Sequence, residues 1–219
     1  MNGIEKKIIY TNASAYKTSD ADCERLVLGA MAKGMERIFV LPSSLPVVNR
    51  TRTDGIRVAV GVSYPSGAYE QAVKVHEIED LLCSGEAFDE IYAVLAVGRY
   101  LSGYADECRA EMEAMAAAAG EKPVYFIMEA AVMTDGQKKE VVEMAAGAGA
   151  RGIVASTGFA PYDIKMPGPE DIRTLAEAAA GKLEIIANGG IDSMEKIQDM
   201  LRAGAGLVCS ADAYHILNG

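Results

Sequence analysis

Short apolar runs that end in small polar residues recur along the chain. The run 150–159 ends in Ser-Thr-Gly-Phe, and the runs 183–190 and 205–210 end in the same way, each followed by a segment with helical spacing. An apolar run of this kind predicts a buried parallel strand that carries a polar loop at its carboxyl end. Three such units in succession predict an α/β chain with a parallel sheet.

The same alternation extends over the whole sequence. Strands are predicted at 7–12, 37–41, 56–62, 88–95, 123–129, 150–159, 183–188 and 205–210. Helices are predicted at 21–33, 68–82, 105–119, 135–146, 170–180, 193–203 and 211–217, with an abbreviated crossover helix between 43 and 55. Eight strand–helix units predict a (β/α)8 TIM barrel that forms a single domain over residues 1–219, with an open doubly wound sheet as the alternative.

The amino-acid composition excludes several classes of function. Half of the 219 residues are hydrophobic, which suffices for one large core, and the net charge of −10 argues against nucleic acid as a partner. The four cysteines are scattered and the two histidines lie far apart, so neither disulfides nor a metal site is expected. No apolar run approaches the ~18 residues of a membrane span. These features predict a soluble cytoplasmic protein without a cofactor, metal or membrane partner.

The loops after strands six, seven and eight carry the candidate anion site. In a TIM barrel the active site lies at the carboxyl ends of the strands, and the last loops often hold a phosphate. The residues concerned are Ser156, Thr157, Gly158, Asn188, Gly189, Gly190 and Ser210. Glycine lets backbone N–H groups approach an anion closely, so the pattern predicts a small phosphorylated or otherwise anionic ligand. The alternative is that Gly189 and Gly190 merely form a tight turn, which Asp192 favours because its carboxylate would repel a phosphate.

Several motifs together resemble the deoxyribose-phosphate aldolase family. They are Val40-Leu-Pro42 in strand two, 60–68 after strand three, 126–135 around strand five, Ala155-Ser-Thr-Gly-Phe159 in strand six and Ala187-Asn-Gly-Gly-Ile191 after strand seven. The resemblance covers most of the chain. It implies the barrel fold and carbon–carbon lyase chemistry on a sugar phosphate.

The resemblance also locates the family's catalytic positions in this sequence. The lysine that forms a Schiff base falls on Val154, the second lysine on Ile186, and the strand-four aspartate on Tyr92. Valine cannot form an imine, so the inherited aldolase mechanism is predicted to be absent.

Other side chains remain as candidates for chemistry. Lys165 is a replacement amine or a solvated loop residue, and Glu129 is a general base or a structural hydrogen-bond acceptor. Tyr92 is a proton donor or a packed barrel residue, and Cys209 is a nucleophile or a small buried thiol. His215 is expected at the surface or in an interface.

Two hypotheses therefore remain open for the function. The first is an aldolase-like lyase or isomerase that binds a small phosphorylated sugar or aldehyde. The second is a non-catalytic metabolite-binding or regulatory protein. A homo-oligomer is a further expectation, and Glu107, Glu111 and Glu113 are expected to form a solvated helix face.

Overall fold

The strands close into a complete parallel barrel. The computed structural model describes residues 3–14, 16–159 and 164–218. The strands are β1 Ile8–Thr11, β2 Arg37–Val40, β3 Arg57–Val62, β4 Glu90–Val94, β5 Val124–Ile127, β6 Gly152–Val154, β7 Glu184–Asn188 and β8 Leu207–Ser210. Each strand pairs in parallel with its neighbour, and β1 pairs with β8 through Ile8 opposite Val208. The predicted TIM barrel is thus confirmed, and the open sheet is wrong.

Helices follow the strands and cover the outside of the barrel. Within the described residues they are α1 Asp20–Ala32, α2 Leu45–Thr51, α3 Gln71–Cys83, α4 Val97–Leu101, α5 Ala105–Ala119, α6 Asp135–Gly147, α7 Pro169–Ala179, α8 Met194–Arg202 and α9 Ala213–Ile216. Short 3-10 turns span Ile4–Lys7, Pro42–Ser44 and Ala130–Val132. The abbreviated crossover is α2, as expected, whereas the sequence predicted no helix at α4. Ser19 and Thr134 begin α1 and α6 with capping boxes, in which each side chain accepts from the third helical N–H.

The barrel wall separates two apolar layers. One layer packs between the strands and the helices, and the other, here called the interior cluster, fills the barrel itself. The interior cluster consists of Ile9, Ala13, Phe39, Ala59, Tyr92, Val94, Tyr125, Ile127, Val154, Ile186, Leu207 and Cys209. Because successive strand residues face opposite sides, burial of both sides gives the near-continuous apolar runs seen in the sequence.

Charged residues close the amino-terminal end of the barrel. Arg37, Arg57, Glu90 and Glu184 are the first residues of β2, β3, β4 and β7. Arg57 lies 2.9 Å from the Glu90 carboxylate, and Arg37 lies 3.5 Å from that of Glu184. The hydroxyls of Tyr92 and Tyr125 in the barrel interior donate to the carboxylates of Glu90 and Glu184 in this layer. This end of the barrel is therefore held by ion pairs.

One expectation about the outer surface is wrong. Glu111 on α5 is 5% exposed and accepts from Lys74 Nζ at 2.8 Å and from the Ala96 N–H at 3.1 Å. Lys74 on α3 is fully buried and also donates to the Val94 carbonyl at 2.9 Å. Glu111 therefore belongs to a buried ion pair between helices and barrel, whereas Glu107 and Glu113 are exposed as expected.

Candidate functional site

A cleft opens at the carboxyl ends of β1, β6, β7 and β8. Its volume is about 990 Å³. Of the residues predicted to bind an anion, Thr157, Gly158, Asn188, Gly189, Gly190 and Ser210 line it. Ser156 does not belong to the lining, because it is fully buried and its hydroxyl donates to the Glu129 carboxylate. The closed barrel explains this convergence, since the ends of neighbouring parallel strands meet at the same rim.

Glu129 organises the loop after β6. Its carboxylate accepts hydrogen bonds from Ser156 Oγ at 2.9 Å, from the Thr157 N–H at 2.7 Å and from Thr157 Oγ1. Ser156 Oγ in turn accepts from the Gly158 N–H at 2.9 Å. Glu129 itself has a φ of 50°, an uncommon conformation for a non-glycine residue. Its carboxylate thus positions the loop, and general-base catalysis by Glu129 stays a prediction.

The glycine turn after β7 has a structural reason of its own. Gly189 and Gly190 have φ values of 104° and 66°, where side chains other than glycine are strained. Met166 also covers them, because a Cβ on Gly189 would lie 2.8 Å from the Met166 sulfur. These features support the alternative that Gly189 and Gly190 form a tight turn.

The three loops are also tied to one another. Asn188 Nδ2 donates to the Ser156 carbonyl at 2.9 Å, which joins the loops after β6 and β7. Ser210 Oγ donates to the Ile191 carbonyl at 2.6 Å, which joins the loops after β7 and β8. The carboxylate of Asp192 lies 2.9 Å from Lys196 Nζ, and the hydrogen bond from this ammonium lowers the pKa of Asp192. The repulsion expected from Asp192 is consequently offset by its partner.

The cleft also contains cations that the sequence analysis missed. Lys17 and Arg25 line it from the side of β1 and α1, and both side chains are exposed. Arg25 pairs with Asp22 at 2.5 Å. The signal that could have pointed to them is barrel closure, which places the loop after β1 next to the loop after β8.

The three catalytic positions carried over from the resemblance lie together inside the barrel. Val154 and Ile186 are opposite each other on β6 and β7 and are 1% and 0% exposed. Tyr92 belongs to the same interior cluster, but its hydroxyl donates to the Glu90 carboxylate at 3.2 Å, at the end of the barrel away from the cleft. Burial raises the pKa of Tyr92 well above its usual value. Tyr92 therefore has the geometry expected for a tyrosine packed inside the barrel.

Tyr64 covers the interior cluster at the carboxyl end. Its ring packs edge-on against Phe39 at 5.2 Å, and its hydroxyl donates to the Thr157 carbonyl at 2.6 Å. The preceding Ser63 has a φ of 54°, and its N–H donates to the Glu77 carboxylate at 2.8 Å. Burial raises the pKa of Tyr64, so its hydroxyl stays a donor. Tyr64 therefore lies between the interior cluster and the cleft, whose lining also includes Ala13 and Cys209 of that cluster.

Comparison with known proteins identifies the family. No family model matches the chain. A protein of Mycobacterium bovis BCG, named deoxyribose-phosphate aldolase, is 33% identical over 211 residues, which cover 93% of this chain and 90% of that protein. A Staphylococcus haemolyticus protein of the same name is 31% identical over 197 residues, covering 90% and 87%. The chain belongs to the deoxyribose-phosphate aldolase family.

Solved structures agree with the aldolase fold. The protein described as "QR15, an Aldolase" has a TM-score of 0.90 at 24% identity and covers 100% of this chain and 96% of its own. A deoxyribose phosphate aldolase from Aeropyrum pernix, described as tetrameric, has a TM-score of 0.85 at 22% identity and covers 98% and 89%. At these identities the likeness establishes the fold.

The remaining candidates of this aldolase-family member lie around the cleft or outside it. Lys165 is exposed and does not line the cleft in the described residues. Cys209 lines it but is 1% exposed, and burial raises the pKa of its thiol to about 12, which fits a small buried thiol. His215 is exposed at the rim.

Within residues 3–14, 16–159 and 164–218, no group of three His, Cys, Asp or Glu side chains is placed to hold a metal ion. No helix in these ranges is long and apolar enough to cross a membrane.

Proposed function

We propose that this aldolase-family barrel binds a small phosphorylated sugar, such as 2-deoxyribose 5-phosphate, in the cleft without forming an imine at the inherited position. One observation carries the proposal. The positions that the family motif assigns to catalysis hold Val154, Ile186 and Tyr92 inside an apolar cluster, while the polar loop residues beside them line an open cleft. The protein thus binds the sugar phosphate but lacks the imine chemistry of the family at these positions.

The position of the lysines supports the second part of this proposal. The two buried lysines of the described chain, Lys74 and Lys138, lie on α3 and α6, outside the barrel wall, and each is paired with carboxylates. Lys165 remains the candidate for a relocated amine, because its loop follows β6. An amine must be unprotonated to attack a carbonyl, and burial or a nearby cation favours that state. The Lys165 side chain is exposed.

The sugar-phosphate part of the proposal rests on the shape and charge of the cleft. Gly158, Gly189 and Gly190 line the cleft without side chains of their own, which suits a phosphate group, and Met166 packs against the last two. Lys17 and Arg25 supply positive charge on the opposite side. The named relatives are deoxyribose-phosphate aldolases, and this chain's proposed ligand follows that name.

A non-catalytic metabolite-binding protein is the second candidate. The observation that favours it is the burial of Val154, Ile186 and Tyr92, which are at most 1% exposed and do not line the cleft. An enzyme of this family that had moved its chemistry to the rim would instead work through Lys165 or Glu129.

Borohydride trapping separates these possibilities. The protein is incubated with 2-deoxyribose 5-phosphate or acetaldehyde, reduced, and analysed by intact mass and peptide mapping. We expect no adduct at equimolar aldehyde, and a Lys165→Arg variant that behaves like the parent. A reproducible adduct on Lys165, lost in that variant, would replace our proposal by a relocated imine mechanism.

Calorimetric titration tests ligand binding itself. We expect 2-deoxyribose 5-phosphate to bind and Lys17→Ala to weaken it by roughly 3- to 10-fold, since one exposed charge contributes about 1 kcal/mol. Lys182→Ala, which removes an exposed lysine outside the cleft lining, is the matched control and should leave the affinity unchanged. No heat of binding with the parent protein would reject the proposed function.

Self-association is part of the proposal as well. The Aeropyrum pernix relative in fold is described as tetrameric. Light scattering after size-exclusion chromatography is the test, and a monomer at micromolar concentration would contradict it.

A further inference from the structure

The cleft extends well beyond the candidate phosphate site. It runs from the Gly189–Gly190 turn after β7, across β8, to the residues after β1. Two strand spacings correspond to roughly 10 Å. A phosphate and a small sugar would occupy only part of a cleft of about 990 Å³, which lies at the upper end of the range for small-molecule sites. The half of the cleft next to β1, which we call the β1 half, would therefore stay empty.

Aromatic rings form the surface of the β1 half. Tyr10 at the end of β1 and Tyr214 on α9 both line the cleft. They close around Gly29 of α1, where an added Cβ would lie 3.1 Å from the Tyr214 ring and 3.3 Å from the Tyr10 ring. Glycine at this position lets both rings pack against the helix. Such a surface suits a flat apolar group more than a second charged one.

An unpaired carboxamide stands in the same half. Asn12, which follows β1 and lines the cleft, has neither its Nδ2 donor nor its Oδ1 acceptor paired with any described residue, and both atoms are buried. Ser14 Oγ nearby in the chain is in the same state. Buried polar groups are normally satisfied, so these atoms point to a partner that the described residues do not supply. A carboxamide offers one donor and one acceptor side by side, which match the edge of adenine.

Charged residues of both signs line the β1 half. Asp22 is paired with Arg25, and Lys17 and Asp212 also line this part of the cleft. The charges of these four side chains cancel, so the β1 half suits an uncharged base better than additional phosphates. Together these features favour one phosphate at the glycine turn and an uncharged planar group at Asn12.

We propose that the cleft binds a nucleoside 5′-monophosphate, with the base held between Asn12 and the Tyr10–Tyr214 surface and the phosphate at the Gly189–Gly190 turn. The ligand turns the Asn12 side chain toward the cleft and pairs both of its amide atoms. This inference rests on the proposed function, because it keeps the phosphate site and adds the group attached to it.

Competitive titration with four probes tests the inference. They are inorganic phosphate, 2-deoxyribose 5-phosphate, adenosine 5′-monophosphate and adenosine 5′-triphosphate. We expect the monophosphate nucleotide to bind at least about tenfold more tightly than the sugar phosphate, because one bidentate base contact contributes that much discrimination. The triphosphate should bind more weakly than the monophosphate.

Variants assign the discrimination to Asn12. Asn12→Ala should reduce the affinity ratio of nucleotide to sugar phosphate to near one, while its affinity for the sugar phosphate stays the same. Asn49→Ala, which truncates an asparagine on α2 outside the cleft, should keep the parent's ratio. If Asn12→Ala does not fold, saturation-transfer NMR on the parent protein replaces it, and the adenine protons should then receive more saturation than the ribose protons.

The outcomes are distinguishable from failure of the proposed function. Equal affinities for nucleotide and sugar phosphate, a ratio unchanged in Asn12→Ala, or adenine protons without saturation would each overturn the nucleotide inference and leave sugar-phosphate binding intact. Loss of binding for all four probes would reject both.

Discussion

Replacing Lys74 with methionine should strongly destabilise the protein. Methionine approximates the length of the lysine stem but leaves the buried Glu111 carboxylate without its cation, with the Ala96 N–H as the remaining contact. Removing one member of a buried ion pair costs about 3–5 kcal/mol, because the other charge stays desolvated and unpaired. For a chain of this length that corresponds to a fall in Tm of roughly 6–20 °C.

The assay is urea unfolding followed by circular dichroism, with three proteins compared to the parent. Lys139→Met, an exposed lysine on α6, is the matched control and should change the stability by less than about 0.5 kcal/mol. The double variant Lys74→Met with Glu111→Leu leaves no buried charge unpaired, so it should recover most of the lost stability. A loss of ~1–3 kcal/mol should remain, because the Val94 carbonyl and the Ala96 N–H lose these side-chain partners. A single variant within 1 kcal/mol of the parent, or a double variant as unstable as the single one, would refute the reasoning.

Three further predictions concern the barrel interior and the reactivity of two cysteines. Tyr92→Phe should lose about 1–3 kcal/mol of stability, since the hydrogen bond to a buried carboxylate is removed, and should leave ligand affinity unchanged; a fall in affinity would restore Tyr92 to the site. Gly152→Ala should cost at least about 1–3 kcal/mol in thermal unfolding, because its Cβ would clash with the Glu184 backbone carbonyl oxygen and lie 2.7 Å from the Tyr125 ring; a neutral effect would contradict that packing. Ellman's reagent at pH 9.5 should label Cys83 but not Cys209, whose pKa of about 12 keeps the thiol protonated; labelling of the folded protein at Cys209 would show an open barrel mouth.

Periodicity and turn residues were enough to predict the barrel. Thr134 before α6 and the apolar runs of β6 to β8 are local signals, and β6 and β8 are buried on both faces as such runs indicate. The short helix α4 was missed because its five residues lack the length at which helical periodicity becomes visible.

The sequence predicted the site in part, and the reasons are physical. The loop glycines follow their strands directly, so barrel geometry brings them together without further information. Lys17 and Asn12 reach the cleft through the closure of β1 on β8, a contact between the two ends of the chain that no local pattern contains. Glu111 looked solvated on its own helix, since its partner Lys74 lies on another one.

The covering of the barrel centre by Tyr64 has a consequence for anyone who would reinstall aldolase chemistry in this chain. A lysine placed at Val154 would enter the packed apolar interior cluster together with Ile127, Ile186 and Cys209, against which the Tyr64 ring also packs. Protein engineering would have to open the mouth before it changed the nucleophile. For the same reason, single substitutions selected for aldol activity should appear first at Tyr64 and only afterwards inside the barrel.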